Sequence, residues 1–219
     1  MSQLNLIAFW LFIKENVTVF KDLITIATST ILAYIAFQGL KTWRRQLIGN
    51  TEYEHARKLL RTIYRVRDAV NIVRGPFISS LESGTAMKEV GIEVKEGDAF
   101  DKKLMEKSQE AVYQRRWKKM IEAMTEYEIE AFEAEALWGT AIFERLKPLK
   151  QCVNDLNWAV GVLLNPEKQK NNPKRREEVD SIVYSFDDLT NPETANPFSK
   201  KMVQTIGNLE EFLKPKLRL

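Results

Sequence analysis

The sequence predicts an all-α protein, with a single N-terminal transmembrane helix followed by a cytoplasmic antiparallel helical bundle that contains one long helix. Three observations lead to this prediction. Leu23–Leu40 is a run of eighteen residues without a charge. After it, apolar residues recur at spacings of three and four, which is typical of amphipathic helices. The nine glycines and seven prolines are clustered, so long stretches contain no residue that interrupts a helix.

The run LITIATSTILAYIAFQGL (Leu23–Leu40) is just long enough to cross a bilayer. A helix of that length spans ~27 Å, and the hydrocarbon core is ~30 Å thick. Lys21 and Lys41 can extend their ammonium groups toward the headgroups at the two ends, and Tyr34 and Trp43 suit the interface. A buried helix of a soluble protein stays open as an alternative, because four hydroxyl residues lower the hydropathy.

The flanking cations predict how this span is oriented. Only Lys14 and Lys21 precede it, whereas five cations follow closely. By the positive-inside rule the short N-terminus (1–22) lies outside and the rest of the chain lies in the cytoplasm. Within 1–22, Leu4–Ile13 is too short to cross. We expect an interfacial helix there, or alternatively a re-entrant piece that lines a pore.

Small residues form a stripe along the span. Thr25, Ser29, Ala33 and Ala36 recur at helical spacing. Small side chains let helices approach closely, and hydroxyls can bond across the contact. The stripe predicts self-association into a homo-oligomer, although small residues are common in spanning helices for other reasons.

A basic juxtamembrane helix (41–75) is expected next. Thr51 and Glu54 have the spacing of a capping box, and Gly75-Pro76 ends a helix, so we predict a helix over Glu52–Arg74. Its apolar residues form a coiled-coil-like seam with 3-4-3-4-3 spacing. The seam consists of Ala56, Leu59, Ile63, Val66, Val70 and Val73.

Residues 41–75 hold nine Lys/Arg and three Asp/Glu, a local net charge of +6. The cations predicted to face lipid headgroups are Lys41, Arg44, Arg45, Arg57, Lys58, Arg61 and Arg65. Anionic headgroups of the lipid bilayer would attract them. An acidic or helical protein partner is the alternative, and the chain itself offers seven Glu without a Lys or Arg between Ile121 and Glu144. Nucleic acid is disfavoured, because no known binding motif accompanies the cations.

The remainder, 76–219, is expected to be the cytoplasmic helical domain. Residues 75–103 contain four glycines and read as a loop with a short strand or helical turn. Residues 101–147 predict one long helix, or two helices broken near Gly139. A helix then restarts at Pro148 and runs to about Leu164. Shorter helices are predicted from Pro173 to Phe186 and over Phe198–Leu213.

No catalytic, cofactor or metal site is predicted. One histidine (His55) and one cysteine (Cys152) leave little for metal or nucleophilic chemistry. Glu52 and His55 have an E-x-x-H spacing, but no second histidine exists to complete a di-iron site. Neither a GxxxxGK nor a GxGxxG loop occurs in the sequence.

The block WRRQL…TEYEHARKLLRTIYRVRDA, directly after the span, resembles the juxtamembrane region of bacterial membrane-anchored helical proteins. The resemblance covers about the first third of the chain and implies no activity. It points to the bacterial inner membrane. We therefore expect a membrane-tethered, non-enzymatic interaction or regulatory protein that self-associates. The alternatives are a pore-forming effector of a bacterial defence or toxin system, and an enzyme with a site assembled from scattered polar residues.

Overall fold

The computed structural model describes residues 3–92, 102–165, 173–184, 189–190, 193 and 196–217, and these residues contain no strand. Their helices, in chain order, are α1 (Gln3–Arg74), α2 (Ser80–Glu89), α3 (Lys102–Trp138), α4 (Ala141–Leu163), α5 (Pro173–Val183) and α6 (Pro197–Leu213), followed by a 3₁₀ turn at Lys214–Leu217. The predicted all-α fold is confirmed. Contacts divide the chain into two units, Met1–Thr51 and Glu52–Leu219.

α1 is a single helix of 72 residues, and this corrects two predicted boundaries. No new helix begins at Glu52. The Thr51 hydroxyl donates to the backbone oxygen of Leu47 at 2.9 Å, which is the bond of a threonine inside a helix. Thr51 is not an N-cap, because the helical residues before it already supply acceptors for the amides that a cap would satisfy. Leu4–Ile13, expected as a separate surface helix, is continuous with the residues that follow it.

The predicted seam on the last part of α1 is confirmed. All six residues, Ala56, Leu59, Ile63, Val66, Val70 and Val73, are 0% exposed and belong to the main hydrophobic core. Val73 is followed by Arg74 and by Gly75-Pro76, where the helix ends as predicted. The 3-4 spacing therefore identified which face of the helix is buried.

Polar contacts show what this part of α1 packs against. The Tyr64 hydroxyl donates to Glu210 Oε1 in α6 at 2.9 Å. The buried Arg74 donates from Nε to the Ile182 backbone oxygen at 2.7 Å, and its guanidinium lies 4.7 Å from the Phe198 ring centroid. Because Tyr64 meets Glu210 while Arg74 meets Phe198, this part of α1 runs antiparallel to α6.

Gly139 separates α3 from α4. It has a φ of +78°, a conformation that favours glycine, so the unbroken helix over 101–147 is wrong and the alternative of two helices is confirmed. The helices fold back on each other. Near the turn the ring centroids of Phe132 and Phe143 lie 6.0 Å apart, and farther from it Lys150 Nζ donates to Glu128 at 2.6 Å. α3 and α4 therefore form an antiparallel hairpin.

Pro148 does not restart a helix; it lies inside α4. Proline removes one intrahelical hydrogen bond and usually kinks or ends a helix. Here Leu146, Leu149 and Cys152 are 3%, 0% and 0% exposed, so one buried face continues across the proline. Burial of that face outweighs the lost hydrogen bond. The end predicted near Leu164 is confirmed, since Leu164 is the C-cap.

The residues of α2 were expected to lie in a loop with a short strand or a helical turn, but they form a helix of ten residues. The Glu82 backbone amide donates to the Ser79 hydroxyl at 3.1 Å, so Ser79 is an N-cap. Val90–Ile92 follows the helix as a turn without a strand, and residues 93 and 94, which complete the expected strand, lie outside the described residues.

The last two helices agree with the sequence. α5 begins at Pro173 as predicted and ends at Val183, while Phe186 lies outside the described residues. α6 begins at Pro197, where the Asn196 side chain accepts hydrogen bonds from the amides of Phe198 and Ser199.

Candidate functional site

The first feature with functional meaning is the apolar part of α1. In the described chain, α1 is the one helix that is long and apolar enough to cross a membrane, with a mean hydropathy of 1.6 over eighteen residues, none of them buried. Every residue of Leu23–Leu40 is exposed; Leu32 and Phe37, for example, are 66% and 67% exposed. None of this segment is buried among the described residues, as a core helix of the chain's own fold would be.

The threonine hydroxyls in this segment are hydrogen-bonded to backbone oxygens of the same helix. The hydroxyls of Thr25, Thr28 and Thr30 each donate to the backbone oxygen four residues earlier, at 2.8, 2.9 and 2.8 Å. An unbonded polar group is costly in hydrocarbon, and such a bond lowers that cost. These three threonines are therefore compatible with an apolar surrounding.

The small-residue stripe occupies one face of this part of α1. Thr25, Ser29, Ala33 and Ala36 lie within a narrow arc at ~100° per residue, and all four are exposed. Self-association through them stays a prediction.

The seven predicted basic residues are all exposed on α1: Lys41, Arg44 and Arg45 in the first unit, and Arg57, Lys58, Arg61 and Arg65 in the second. Contact with lipid headgroups stays a prediction for all of them.

Two of these cations have acidic partners. Arg57 lies 3.8 Å from Glu54 on the same helix, and Arg65 forms an ion pair with Glu126 of α3. Among the described residues, Lys58 and Arg61 have no ion-pair partner. The Arg65–Glu126 pair shows that the glutamate-rich helix lies beside the basic helix within one chain.

Sequence reasoning missed Arg116 of α3, which is 5% exposed. Its Nη1 donates to the Gly75 backbone oxygen at 2.5 Å and its Nη2 to that of Phe77 at 2.7 Å. Nε and Nη2 also bind both carboxylate oxygens of Glu82 at 2.8 Å. Arg116 thus connects the end of α1, the following loop and α2. Its hydrogen bond holds the pKa of Glu82 below the usual range.

The cysteine and two buried serines are engaged in the packing of the fold. Cys152 is 0% exposed, and burial raises the pKa of its thiol, which disfavours the nucleophilic thiolate. The hydroxyls of Ser83 and Ser108 bond to each other across α2 and α3. Within the described residues, no group of three or more His, Cys, Asp or Glu side chains is placed to hold a metal ion.

An exposed apolar stripe runs along α3. Ile121, Ile129 and Phe132 are 56%, 55% and 61% exposed. Phe143 of α4 lies beside Phe132, and the centroids of the two rings are 6.0 Å apart. Between the two helices is a groove of about 390 Å³ that Ala131, Phe132, Phe143 and Leu146 help to line. We refer to Ile121, Ile129 and Phe132, together with this groove, as the α3 surface.

Comparison with protein-family models, with curated proteins and with solved structures gives no match to this chain.

Proposed function

We propose that this chain is a membrane-tethered, non-enzymatic helical interaction or regulatory protein that self-associates. The observation that carries the proposal is the contrast between an apolar helical segment exposed on all sides and a second unit that has its own core. An exposed apolar surface of that length is far larger than a soluble monomer normally presents. The membrane is the apolar phase that would cover it.

The proposed topology follows from charge. Lys41, Arg44 and Arg45 directly follow the span, so the positive-inside rule favours a cytoplasmic second unit and an outside N-terminus in a bacterial inner membrane. Self-association would use the face of Thr25, Ser29, Ala33 and Ala36. The exposed cations of α1 would meet anionic headgroups at the inner surface.

The first experiment is carbonate extraction of the full-length protein with a C-terminal tag, combined with protease digestion of spheroplasts. We expect the protein to stay in the membrane pellet and the tag to be protected until lysis. A Leu32→Lys variant should lose membrane retention, since a lysine at the centre of a span costs about 2.5–3.5 kcal/mol. Leu81→Lys is the matched control, because Leu81 is 80% exposed on α2.

Four outcomes would contradict parts of the proposal. Release of the wild-type protein by carbonate would overturn the anchor. A tag digested in intact spheroplasts would reverse the orientation. A monomeric mass by light scattering in detergent would remove self-association, and dye leakage from expressing cells would favour the pore-forming alternative instead.

A further inference from the structure

The α3 surface is bordered by carboxylates on both sides. At ~100° per residue, Ile121, Ile129 and Phe132 fall within one arc of about 80°. Four glutamates line one edge of this arc, namely Glu122, Glu126, Glu130 and Glu133, and Glu128 and Glu135 line the other. Residues 121–138 contain these six glutamates and no Lys or Arg. Along α3 the surface therefore combines an apolar centre with negative edges, while Lys147 and Lys150 at the groove are paired with Glu144 and Glu128.

The chain's own cations neutralise only part of this charge. Glu126 is paired with Arg65 and Glu128 with Lys150. In the part of the chain that the structure describes, Glu122, Glu130 and Glu133 have no ion-pair partner. Carboxylates without partners beside exposed isoleucine and phenylalanine favour a cationic, apolar ligand over an anionic one.

The core of the bundle does not need these residues. The opposite face of α3 is buried through Tyr113, Met120, Tyr127 and Ala131, each at most 5% exposed. Two isoleucines and a phenylalanine on the exposed side therefore add nothing to the core. Such a patch, rimmed by charged residues, is typical of a protein–protein contact.

From this geometry we infer that the α3 surface binds a basic amphipathic helix of a partner protein. The apolar residues of that helix would lie along Ile121, Ile129 and Phe132, and one of them would enter the groove beside Phe143. Its flanking Lys or Arg side chains would pair with Glu122, Glu130 and Glu133. This is the helix-in-groove mode of recognition, with charge setting orientation and partner choice.

A second copy of this chain fits the surface less well. The exposed basic face of α1 in the same unit consists of Arg57, Lys58, Arg61 and Arg65. It would satisfy the carboxylates, but Ile72, 41% exposed, is its one large exposed apolar residue and is too little to cover Ile121, Ile129 and Phe132 together. Contact between two α3 surfaces would bring glutamates together, which is repulsive.

The inference rests on the proposed interaction function and names the partner's chemistry. It is tested with the full-length protein in a nonionic detergent and a fluorescent peptide that has leucines at i, i+3, i+4 and i+7 and lysines elsewhere. The matched peptide has glutamate in place of each lysine. We expect fluorescence anisotropy to show binding of the lysine peptide, not of the glutamate peptide, and weaker binding as salt rises.

Two double variants locate the contact. Ile129→Ser with Phe132→Ser removes the apolar centre, and Glu130→Lys with Glu133→Lys reverses the edge. Each should weaken binding of the lysine peptide about tenfold or more, or ~1.4 kcal/mol. Because these side chains lie outside the core, circular dichroism should be unchanged. Glu177→Lys with Glu178→Lys makes the same charge change on exposed positions of α5 and should leave binding unchanged.

Absence of binding, or equal loss in the α5 control, overturns the inference. So does a change in oligomer mass with Ile129→Ser and Phe132→Ser when the peptide does not bind, since a second copy then covers the surface. None of these outcomes depends on carbonate extraction, so failure of the peptide experiment leaves the membrane anchor standing. Failure of the anchor likewise leaves the peptide result standing.

Discussion

Two parts of α1 differ in how their apolar residues are arranged and in what covers them. Leu23–Leu40 is apolar around the whole helix, and all of it is exposed. Ala56–Val73 is apolar along one stripe, and that stripe is 0% exposed. A stripe can be buried by one protein neighbour, whereas an apolar circumference needs an apolar environment on every side. The two patterns therefore call for two different surroundings along a single helix.

The largest expected effect comes from making the same substitution, leucine to alanine, in each of the two parts of α1. Leu59→Ala should lower the free energy of unfolding of the bundle by about 2–5 kcal/mol, because it leaves a cavity in the core. Leu32→Ala should leave that free energy unchanged, since Leu32 is 66% exposed and touches no core. Chemical denaturation of the full-length protein in detergent, followed by tryptophan fluorescence, measures both.

Equal effects of Leu59→Ala and Leu32→Ala would contradict the comparison. They would mean that Leu23–Leu40 contributes to the stability of the bundle, which its exposure does not allow. Ile121→Ala controls for the loss of an exposed aliphatic side chain within the second unit, and it should cost little.

The seam of α1 was predictable because periodicity reports burial directly. Helix starts were less predictable, because the same local pattern has different outcomes in different surroundings. Thr51 and Glu54 have the spacing of a capping box, yet the helix passes through them. Ser79 and Glu82 form the same pair, and there a helix does begin. Proline in Gly75-Pro76 ends the helix before Ser79, whereas the Gly49-Asn50 that precedes Thr51 contains no proline and the helix continues through it.

The structural role of Arg116 could not be predicted from the local sequence pattern. It lies in a basic stretch of α3 and reads as a solvated residue, but its partners are 34 to 41 positions away in the chain. Only the folded arrangement brings Gly75, Phe77 and Glu82 together around it. The apolar and acidic residues of α3 were visible in the sequence, but that Ile129 and Phe132 stay exposed required the structure.

The second expected effect concerns the point where α1 ends. Arg116→Met removes the donor shared by Gly75, Phe77 and Glu82, so their oxygens lose this partner in a partly buried place. We expect a loss of about 2 kcal/mol in the free energy of unfolding. Glu82→Gln should cost less, because it keeps the two backbone contacts. Leu32→Ala remains the control that leaves this value unchanged.

The lowered pKa of Glu82 also predicts that the stability of the fold depends on pH. Because Arg116 lowers the pKa of Glu82 in the folded state, the unfolded chain binds that proton more readily. The resulting stability is present above the usual glutamate pKa of ~4.3 and is lost as pH falls through the lowered pKa. Denaturation between neutral and acidic pH should show a shallower loss for Glu82→Gln than for the wild type. An unchanged slope would contradict the role of Arg116.

The smallest expected effect concerns an ion pair on the polar side of α1, opposite its buried stripe. Arg65 and Glu126 form an ion pair whose side chains are 52% and 47% exposed. Exposed pairs contribute only about 0.2–1 kcal/mol, and salt screens them. A double-mutant cycle with Arg65→Ala and Glu126→Ala should give a coupling in that range that decreases as salt rises. A coupling well above it would mean that charge, and not the apolar seam, holds α1 against α3. A small coupling beside the large cost of Leu59→Ala would leave the pair a role in aligning the two helices, while the buried stripe supplies the stability.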